Sequence, residues 1–338
     1  MDKQVRANRV TIRTVAADAG VSVAAVSKVL RNAYGVSDSL REKVLRSIEK
    51  LGYRPSTAAR GMRGRTFSVG VLLVGMDNPF LPALVDGFKR AMGEAGYKTL
   101  IAVGEARTHV ESALIDSMID MRIDGLLLIA PRIGGEALNH FATQVPIAVI
   151  GHHECSATAF DTVNSDDFNG ARLATRALVE KGYRDIAMLC LIYSRPKDGE
   201  VWYEREKGYR AAMAEAGLKH RARLIRIAEH PKDMLPQIEE LLQRADLPEA
   251  FFCWSDIHGV PLINLARKKG LKVPGDLGIV SYDNTTTSAL PLIELSSIDQ
   301  KPQELGMIAA DQLLTRMTGR TTTRHELVEP ELILRSSF

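Results

Sequence analysis

The stretch VTIRTVAADAGVSVAAVSKVL, Val10 to Leu30, predicts two short helices joined by a tight turn. Thr11 and Ser22 each precede an apolar repeat and can accept a hydrogen bond from a free N–H group of the helix that follows. Gly20 lies between the repeats and can adopt the positive φ that ends a helix. The apolar positions that share a face are Val15, Ala16 and Ala19, then Val26, Val29 and Leu30. This pattern is typical of a helix-turn-helix.

A third helix and then a basic stretch are predicted after this motif. The apolar repeat of the helix lies between Ser37 and Gly52, at Leu40, Val44, Ile48 and Leu51. The stretch YRPSTAARGMRGR, Tyr53 to Arg65, is rich in arginine. Gly61 and Gly64 make a helix there marginal, at roughly 1 kcal/mol each relative to alanine. The stretch is either a flexible basic linker or a helix that forms only against DNA.

Charge is distributed unevenly along the 338 residues, although the net charge is only +3. Residues 1–65 contain 14 Lys/Arg and five Asp/Glu, a balance of +9, and the remaining residues have a balance of −6. A small basic head on a mildly acidic body indicates that one end of the chain binds a polyanion. A charge run can also be a solvated face, so this observation alone does not settle the matter.

Composition excludes several classes of protein. Apolar residues make up 45% of the chain and charged residues 25%, which is ordinary for a globular protein of two or three domains. The longest apolar runs are far shorter than the ~20 residues of a membrane span, and the N-terminus lacks the apolar core of a secretion signal. The three cysteines form no C-x-x-C motif, which favours a reducing compartment. We therefore expect a cytoplasmic protein without a membrane partner.

Motifs of catalysis and metal binding are missing from the sequence. It contains no G-x-x-x-x-G-K-[ST], no strand-borne G-x-G-x-x-G and no G-x-S-x-G. His152 and His153 are adjacent, and neighbouring residues of a strand point to opposite faces, so they are not expected to share a metal. The sequence therefore predicts neither an enzyme nor a cofactor or metal site.

Beyond Arg65 the chain alternates apolar runs with helical stretches. The strands predicted are Ser68–Val74, Lys98–Ala102, Gly125–Ile129, Ile147–Ile150, Ile186–Leu191, Ala250–Trp254 and Leu277–Ser281. This alternation predicts an α/β fold with doubly wound parallel sheets, preceded by a small all-α head. Ligands of such sheets bind beyond the carboxyl ends of the strands.

The order of these motifs resembles the lactose/galactose repressor (LacI/GalR) family of bacterial transcription regulators. The head and the basic stretch carry the resemblance first. It extends over nearly the whole chain through MDNPFLPALVDGF, IDGLLLIAP, NSDDFNGARLA, YEREKGY, GLKVPGDLGIVSYDN and LSSIDQKPQELGMIAADQLL. In this family the body resembles a periplasmic sugar-binding protein, with two lobes that flank a cleft.

The resemblance implies a domain organisation. A DNA-binding domain would span residues 1–65, with its hinge at 54–65, and an effector-binding and dimerisation domain would span 66–338. Lobe 1 would comprise about 66–162 and 296–320, and lobe 2 about 163–295 and 321–338. In this scheme SSIDQ returns the chain to lobe 1 and the tail ELILRSSF returns it to lobe 2.

The resemblance also implies the residues that contact DNA. Val23 and Ala24 match positions that meet base edges, where apolar side chains can read the thymine methyl group. Lys28 matches a position where arginine is common, and Met62 would wedge into a central base step where the family usually has leucine. The full set is Thr11, Ser22, Val23, Ala24, Ser27, Lys28, Arg54, Ser56, Arg60, Met62, Arg63 and Arg65. Of these, Ser22 and Ser27 would hold phosphates, and the arginines would contact phosphates or the groove.

The cleft residues follow from the same landmarks. Arg205 and Asp283 match positions that hydrogen-bond a ligand's hydroxyls, although a surface ion pair and a turn cap are the alternatives. Phe80 would stack on an apolar ligand face or join the core. Arg132 would select an acidic ligand or lie in solvent. The remaining candidates are Asp166, for which helix capping is the alternative, and the Trp254–Ser255 pair, where the family usually has Asn in place of the serine.

These observations predict a sequence-specific DNA-binding transcriptional regulator, a repressor whose operator affinity a small molecule controls. The implied partners are a pseudo-palindromic operator and a sugar or sugar derivative. A homodimer is expected, and the absence of a leucine heptad in the tail favours a dimer over a tetramer. The alternative is a sugar-binding transport or sensing protein that does not bind DNA.

Overall fold

A computed structural model of the chain describes residues 10–30, 33–54, 64–154, 156–192 and 199–338. The chain divides into two compact units, Met1–Thr66 and Phe67–Phe338, which we call the head and the body. No helix among these described residues is long and apolar enough to cross a membrane.

The described residues of the head form three helices around a small apolar core. They are α1 (Ile12–Asp18), α2 (Val23–Leu30) and α3 (Asp38–Leu51). The core is built from the predicted apolar positions, among them Val15, Ala16, Ala19, Val26, Val29 and Val44. Each helix therefore buries one face against the other two, as the apolar repeats predict.

The turn between α1 and α2 depends on Gly20. This residue has φ of +61°, a conformation that residues with a Cβ rarely adopt. It lets the N–H of Val21 donate to the carbonyl of Ala16 at 2.9 Å and its own N–H donate to Ala17 at 3.2 Å. These two bonds form a Schellman motif, which satisfies carbonyls at the end of α1 and redirects the chain into α2.

Lobe 1 of the body is built on a six-stranded parallel sheet. Its order is β2 (Lys98–Val103), β1 (Ser68–Leu73), β3 (Gly125–Ile129), β4 (Ile147–Ile150), β5 (Asp161–Ser165) and β11 (His325–Val328). Helices α4 (Phe80–Glu94) and α11 (Pro302–Met317) cover one face. Helices α5 (Thr108–Asp120) and α6 (Gly135–Ala142) cover the other.

Lobe 2 repeats this arrangement. Its order is β7 (Arg223–Ile227), β6 (Ile186–Leu191), β8 (Ala250–Cys253), β9 (Gly278–Tyr282), β10 (Ser296–Asp299) and β12 (Glu331–Ile333), of which only β12 is antiparallel to its neighbour. Helices α7 (Asp167–Glu180) and α8 (Val201–Glu215) pack on one face. Helices α9 (Pro231–Leu241) and α10 (Asp256–Lys268) pack on the other. The predicted fold class, a helical head followed by two doubly wound lobes, is confirmed.

The points at which the chain crosses between lobes differ from those predicted. Strand β5 remains in the lobe 1 sheet through Ser165, beyond the predicted boundary at 162. SSIDQ was predicted to return the chain to lobe 1, but its strand β10 pairs with β9 in lobe 2, and the crossing comes only at α11. The tail was predicted to lie in lobe 2 from residue 321, but β11 first completes the lobe 1 sheet. These errors share one cause, because sequence does not reveal which sheet edge a short strand joins.

Close packing of α4 against α11 fixes the layer nearest the cleft in lobe 1. Gly87 lies so near α11 that an added Cβ would overlap the carbonyl of Gln303, and Gly306 lies equally near the carbonyl of Leu84. The two glycines therefore let the helix backbones touch. Gly93, on the same helix α4, has no neighbour within 4 Å of such a Cβ.

Gly87→Ala is expected to destabilise the body by about 1–3 kcal/mol, because the added methyl forces two backbones apart. Gly93→Ala is the matched control, and it is expected to be neutral or stabilising since alanine favours a helix. Urea unfolding of both variants measures the difference. Equal free energies of unfolding for the two variants would contradict the close-packing argument.

Candidate functional site

Helix α2 presents a surface with few polar groups. Ala24 and Lys28 are exposed and Val23 is half-buried, while Val26 is fully buried in the head core. Of the two residues predicted to meet base edges, Ala24 therefore lies on the accessible side of α2, and Val23 packs partly against the head core. The only cation on this helix is Lys28.

Two hydroxyls of the predicted DNA-binding set also cap helices. Thr11 Oγ1 accepts from the N–H of Thr14 at 3.4 Å, and Ser22 Oγ accepts from the N–H of Ala25 at 3.1 Å. Because Ser22 Oγ accepts in this bond, its own O–H can donate to a phosphate oxygen, whereas Thr11 Oγ1 also lies 3.1 Å from Thr14 Oγ1. Ser27 differs from these two because it is only 9% exposed. Its phosphate contact stays a prediction, restricted to that small accessible area.

The basic stretch is described only at its ends. Arg54 and Arg65 are exposed. The predicted contacts of Ser56, Arg60, Met62 and Arg63 lie outside the described residues and stay predictions from the sequence.

The cleft of the body lies where the carboxyl ends of the strands of both lobes meet, and it encloses about 900 Å³ including its opening to solvent. This is the position at which ligands of doubly wound sheets bind. Five of the predicted ligand-binding residues line it: Phe80, Arg132, Arg205, Trp254 and Asp283. Asp166 and Ser255 do not line it.

Arg205 is the centre of the cleft floor. It projects from α8, is 3% exposed, and donates from Nε to Asp167 at 2.7 Å and from Nη1 to the carbonyl of Trp254 at 2.6 Å. Its guanidinium carbon lies 3.7 Å from the ring centre of Tyr282. The Nη2 atom has no hydrogen-bond partner within the part of the chain that the structure describes. The surface ion pair considered as an alternative is therefore wrong, and Nη2 can donate to a ligand oxygen.

Asp283 follows β9 and collects donors from both lobes. Its Oδ2 accepts from Ser255 Oγ at 2.6 Å and from Asn78 Nδ2 at 3.0 Å, and its Oδ1 accepts from Gln300 Nε2 at 2.6 Å. Burial raises the pKa of Asp283 to about 6, although the charge of Arg205 opposes the rise. The carboxyl group is thus a hydrogen-bonding hub of the cleft rather than a cap of its own turn.

Asp166 and Asp167 are adjacent but have different roles. Asp166 caps α7 by accepting from the N–H of Asn169 at 3.0 Å, which is the alternative that the sequence offered, and its ligand contact stays a prediction. Asp167 lines the cleft, pairs with Arg205 and contacts His153 Nε2 at 2.7 Å. Asp166 precedes the helix and therefore occupies the capping position. Asp167 belongs to the first turn of the helix, and its side chain turns inward.

Ser255 and Trp254 support the cleft in different ways. Ser255 caps α10 through the N–H of Ile257 and donates to Asp283, and its ligand contact stays a prediction. Trp254 lines the cleft, and its Nε1–H donates to His258 Nδ1 at 2.8 Å. Burial lowers the pKa of His258 to about 4, which keeps this imidazole neutral and able to accept. The Trp254 ring is therefore held in a fixed orientation.

Arg132 reaches the cleft from the loop after β3. The N–H groups of Arg132 and Ile133 donate to Glu111 Oε2 at 2.8 and 3.0 Å. Glu111 is fully buried on α5, and burial raises the pKa of its carboxyl. A buried carboxyl thus fixes the loop that carries Arg132.

Sequence reasoning missed several polar and aromatic cleft residues. They are Asn78, Asn164, Asp167, Glu200, Trp202, Glu229 and Gln300. Asn78, Asn164 and Gln300 lie at or just beyond the carboxyl ends of strands, so a search for polar residues at those points could have found them. Among the described residues, no group of three or more His, Cys, Asp or Glu could hold a metal ion.

Comparison with known proteins identifies the family. Residues 11–56 match bacterial regulatory proteins of the lacI family, and residues 175–338 match a periplasmic binding protein-like domain. Catabolite control protein A of Priestia megaterium is 30% identical over 323 residues, which cover 95% of this chain and 96% of that protein. The chain belongs to the LacI family. It is a DNA-binding transcriptional regulator.

Other LacI-family proteins align over similar lengths. The HTH-type transcriptional regulator CelR of Thermobifida fusca is 31% identical over 98% of this chain and 99% of that protein. The structure of a CelR–cellobiose complex matches 98% of this chain and 100% of that chain, with a TM-score of 0.69 and 28% identity. A lac repressor dimer bound to operator and the anti-inducer ONPF gives a TM-score of 0.83 at 21% identity, over 98% of this chain and 99% of that chain. At that identity the lac repressor comparison shows the shared fold alone.

Asp283→Asn is expected to remove a pH dependence of stability between about pH 4 and pH 6. In the native protein the Asp283 carboxyl has a pKa of about 6 and still binds a proton in this window. In the unfolded protein its pKa is 3.8, and the proton has been released. The free energy of unfolding of the wild type should therefore fall as pH rises through the window, relative to the variant. Urea unfolding of both proteins across the window measures this difference. Parallel pH profiles would contradict the raised pKa.

Proposed function

We propose that this LacI-family regulator represses transcription by binding a pseudo-palindromic operator as a homodimer, and that a carbohydrate in the cleft controls its operator affinity. The observation that carries the proposal is the presence, in one chain, of a LacI head and a cleft lined by Arg205, Asp283 and aromatic rings. Operator DNA places this activity in the cytoplasm.

The operator is read largely through apolar contacts. Ala24 lies on the accessible side of α2 and Val23 is half-buried, and both can contact thymine methyl groups in the major groove. Lys28 adds a single charge without the flat bidentate fork of arginine. Few polar base contacts leave much of the sequence discrimination to the hinge, where Met62 is proposed as a wedge, and to the deformability of the DNA.

The chemistry of the cleft suits a hydroxylated ring. Arg205 Nη2 offers donors to a ligand oxygen, and the Asp283 carboxylate can accept from a hydroxyl. Phe80, Trp202 and Trp254 provide apolar rings that can stack on the faces of a sugar. A sugar or sugar derivative presents both kinds of surface, which a simple anion or an apolar ligand does not.

Effector and operator are coupled through the lobes. A ligand can shift an equilibrium only by its different affinity for two states of the protein, typically by ~1–3 kcal/mol. Arg205 and Asp283 belong to lobe 2, whereas Phe80 and Arg132 belong to lobe 1. A ligand that contacts both sets therefore favours one relative position of the lobes.

Ala24→Asn tests the assignment of α2 as the reading helix. Asparagine can donate and accept at the edge of adenine, so the variant is expected to prefer adenine at one position of each half-site by about 1–3 kcal/mol. Selection of binding sites from random DNA, followed by binding measurements on the selected duplexes, measures the change in preference.

Ala17→Asn, the same substitution at an exposed position of α1, is the matched control and should leave the selected site unchanged. Identical sites selected by wild type and Ala24→Asn would exclude α2 as the reading helix. A purified chain that binds sugars but never selects a DNA site would instead support the sugar-binding protein without DNA-binding activity.

Arg132→Ala tests whether the effector is acidic. If Arg132 pairs with a ligand carboxylate, glucuronate and galacturonate should raise the Tm of the wild type more than glucose and galactose do. The variant should lose this difference and keep its response to the neutral sugars. A thermal-shift screen of these four compounds measures it.

Arg107→Ala, which removes an exposed arginine of the same lobe that does not line the cleft, is the control and should behave as the wild type. A wild type without preference for the acids, or an Arg132→Ala variant that retains the preference, would exclude the acidic effector.

A further inference from the structure

Two hydrogen bonds inside the cleft join the lobes directly. Asn78 follows β1 in lobe 1 and donates from Nδ2 to Asp283 of lobe 2 at 3.0 Å. His153 follows β4 in lobe 1 and contacts Asp167 of lobe 2 at 2.7 Å. Because Asp167 and Asp283 flank Arg205, lobe 1 touches both ends of one buried row of charges.

The His153 contact belongs to a segment that is tied in other ways. The backbone N–H of His153 donates to the carbonyl of Gly199 at 2.8 Å, next to the start of α8. Asp167 lies two residues after Ser165, the last residue of β5, so it is also close to a crossing of the chain between lobes. These ties join the lobes at this end of the row independently of the contact that Asn78 makes at the other end.

Asn78 is oriented for its contact by its own helix. Its Oδ1 accepts from the N–H of Phe80 at 3.0 Å, at the start of α4. This bond assigns the oxygen and the nitrogen of the amide, because only the nitrogen can then face the carboxylate of Asp283. The direction of the Asn78–Asp283 bond is therefore set by lobe 1 alone.

The Oδ2 atom of Asp283 is already fully used by protein donors. A carboxylate oxygen accepts about two hydrogen bonds, and Ser255 and Asn78 supply two to this atom. Ser255 belongs to lobe 2 and is fixed as the cap of α10. A ligand hydroxyl that is to bind Oδ2 must therefore replace Asn78, which belongs to the opposite lobe.

We propose that Asn78 gates Asp283: its amide bridges the lobes, and a ligand donor that binds Oδ2 of Asp283 replaces it and releases this contact between lobes. The gate selects ligands that bring a hydroxyl or ammonium hydrogen to this point, because an ether or carboxylate oxygen cannot replace an N–H donor. This inference rests on the proposed function in one respect, that the cleft is the effector site.

Asn78→Asp tests the bridge without any ligand. The substitution replaces the amide donor by a second carboxyl group with little change in shape. Each carboxyl raises the pKa of the other, so the measurement is made at a pH well above 6, where ionisation of both groups replaces the hydrogen bond by a repulsion of like charges. We expect the lobes to separate. Spin labels at Glu136→Cys on α6 and Glu239→Cys on α9, both exposed, report the distance between lobes by double electron–electron resonance. Cys155 is replaced by serine, and labelled chains are diluted with unlabelled ones.

The expected result is a distance distribution of Asn78→Asp shifted to longer values than that of the wild type. Asn139→Asp, which makes the same change at an exposed position of α6, is the control and should match the wild type. Asn78→Ala removes the donor without adding charge and should shift the distribution in the same direction by less. If Asn78→Asp does not fold, Asn78→Ala decides the question. Distributions that coincide with the wild type for every folded Asn78 variant overturn the proposal.

The outcome is independent of whether the proposed function holds. A shift between lobes in Asn78→Asp supports the gate even if no carbohydrate of the screen raises the Tm of the wild type. A wild type that binds a carbohydrate and an operator, with unchanged lobe distances in the variants, overturns the gate and leaves the proposed function intact.

Discussion

The buried ion pair between Arg205 and Asp167 is the interaction on which the cleft depends. Both side chains are almost inaccessible, and a buried charge is tolerated only when it is paired and hydrogen-bonded. Burial alone would raise the pKa of Asp167, but Arg205 and the hydrogen bond from His153 lower it, and the same pair raises the pKa of Arg205. The two charges therefore stay fixed over the physiological range. Their partners in the cleft floor, above all Asp283, are arranged around this fixed pair.

Asp283 differs from Asp167 because it lacks a close counter-ion. The Arg205 Nη1 atom lies 3.8 Å from it, and neutral donors make its short contacts. The pKa of Asp283 is about 6, so this carboxyl changes its charge near neutral pH. The pKa of Asp167 is lowered from its usual value, so that carboxyl is already charged there. Arg205 thus lies between two carboxylates that differ. Asp167 is a permanent anion with fixed partners, and Asp283 is an anion whose partners can change.

The sequence predicted what depends on local chemistry and missed what depends on distant pairing. The caps at Thr11 and Ser22, the positive φ of Gly20 and the repeating strands are properties of a few neighbouring residues, and these predictions are confirmed. The resemblance located Arg205 and Asp283 in the cleft. Capping by Asp166 was offered by the sequence as an alternative, but the inward position of Asp167 was not predicted, because one step along a helix start decides which carboxylate caps and which turns inward. The placement of β10 depended on a choice between the sheets of the two lobes, because this strand pairs with β9 of lobe 2 and is followed directly by α11 of lobe 1.

The energy of the Asn78 contact is of the size that regulation requires. A hydrogen bond to a charged group contributes about 1.5–3 kcal/mol net, and allosteric coupling energies are typically ~1–3 kcal/mol. Asn78 follows β1, the first strand of the body, so the residue that meets Asp283 belongs to the segment that continues directly from the head in sequence. Exchanging this one bond for a ligand bond changes the contact between lobes at little net cost in hydrogen bonding. An equilibrium balanced in this way responds to a modest difference in ligand affinity, whereas two lobes joined by a large apolar interface would not.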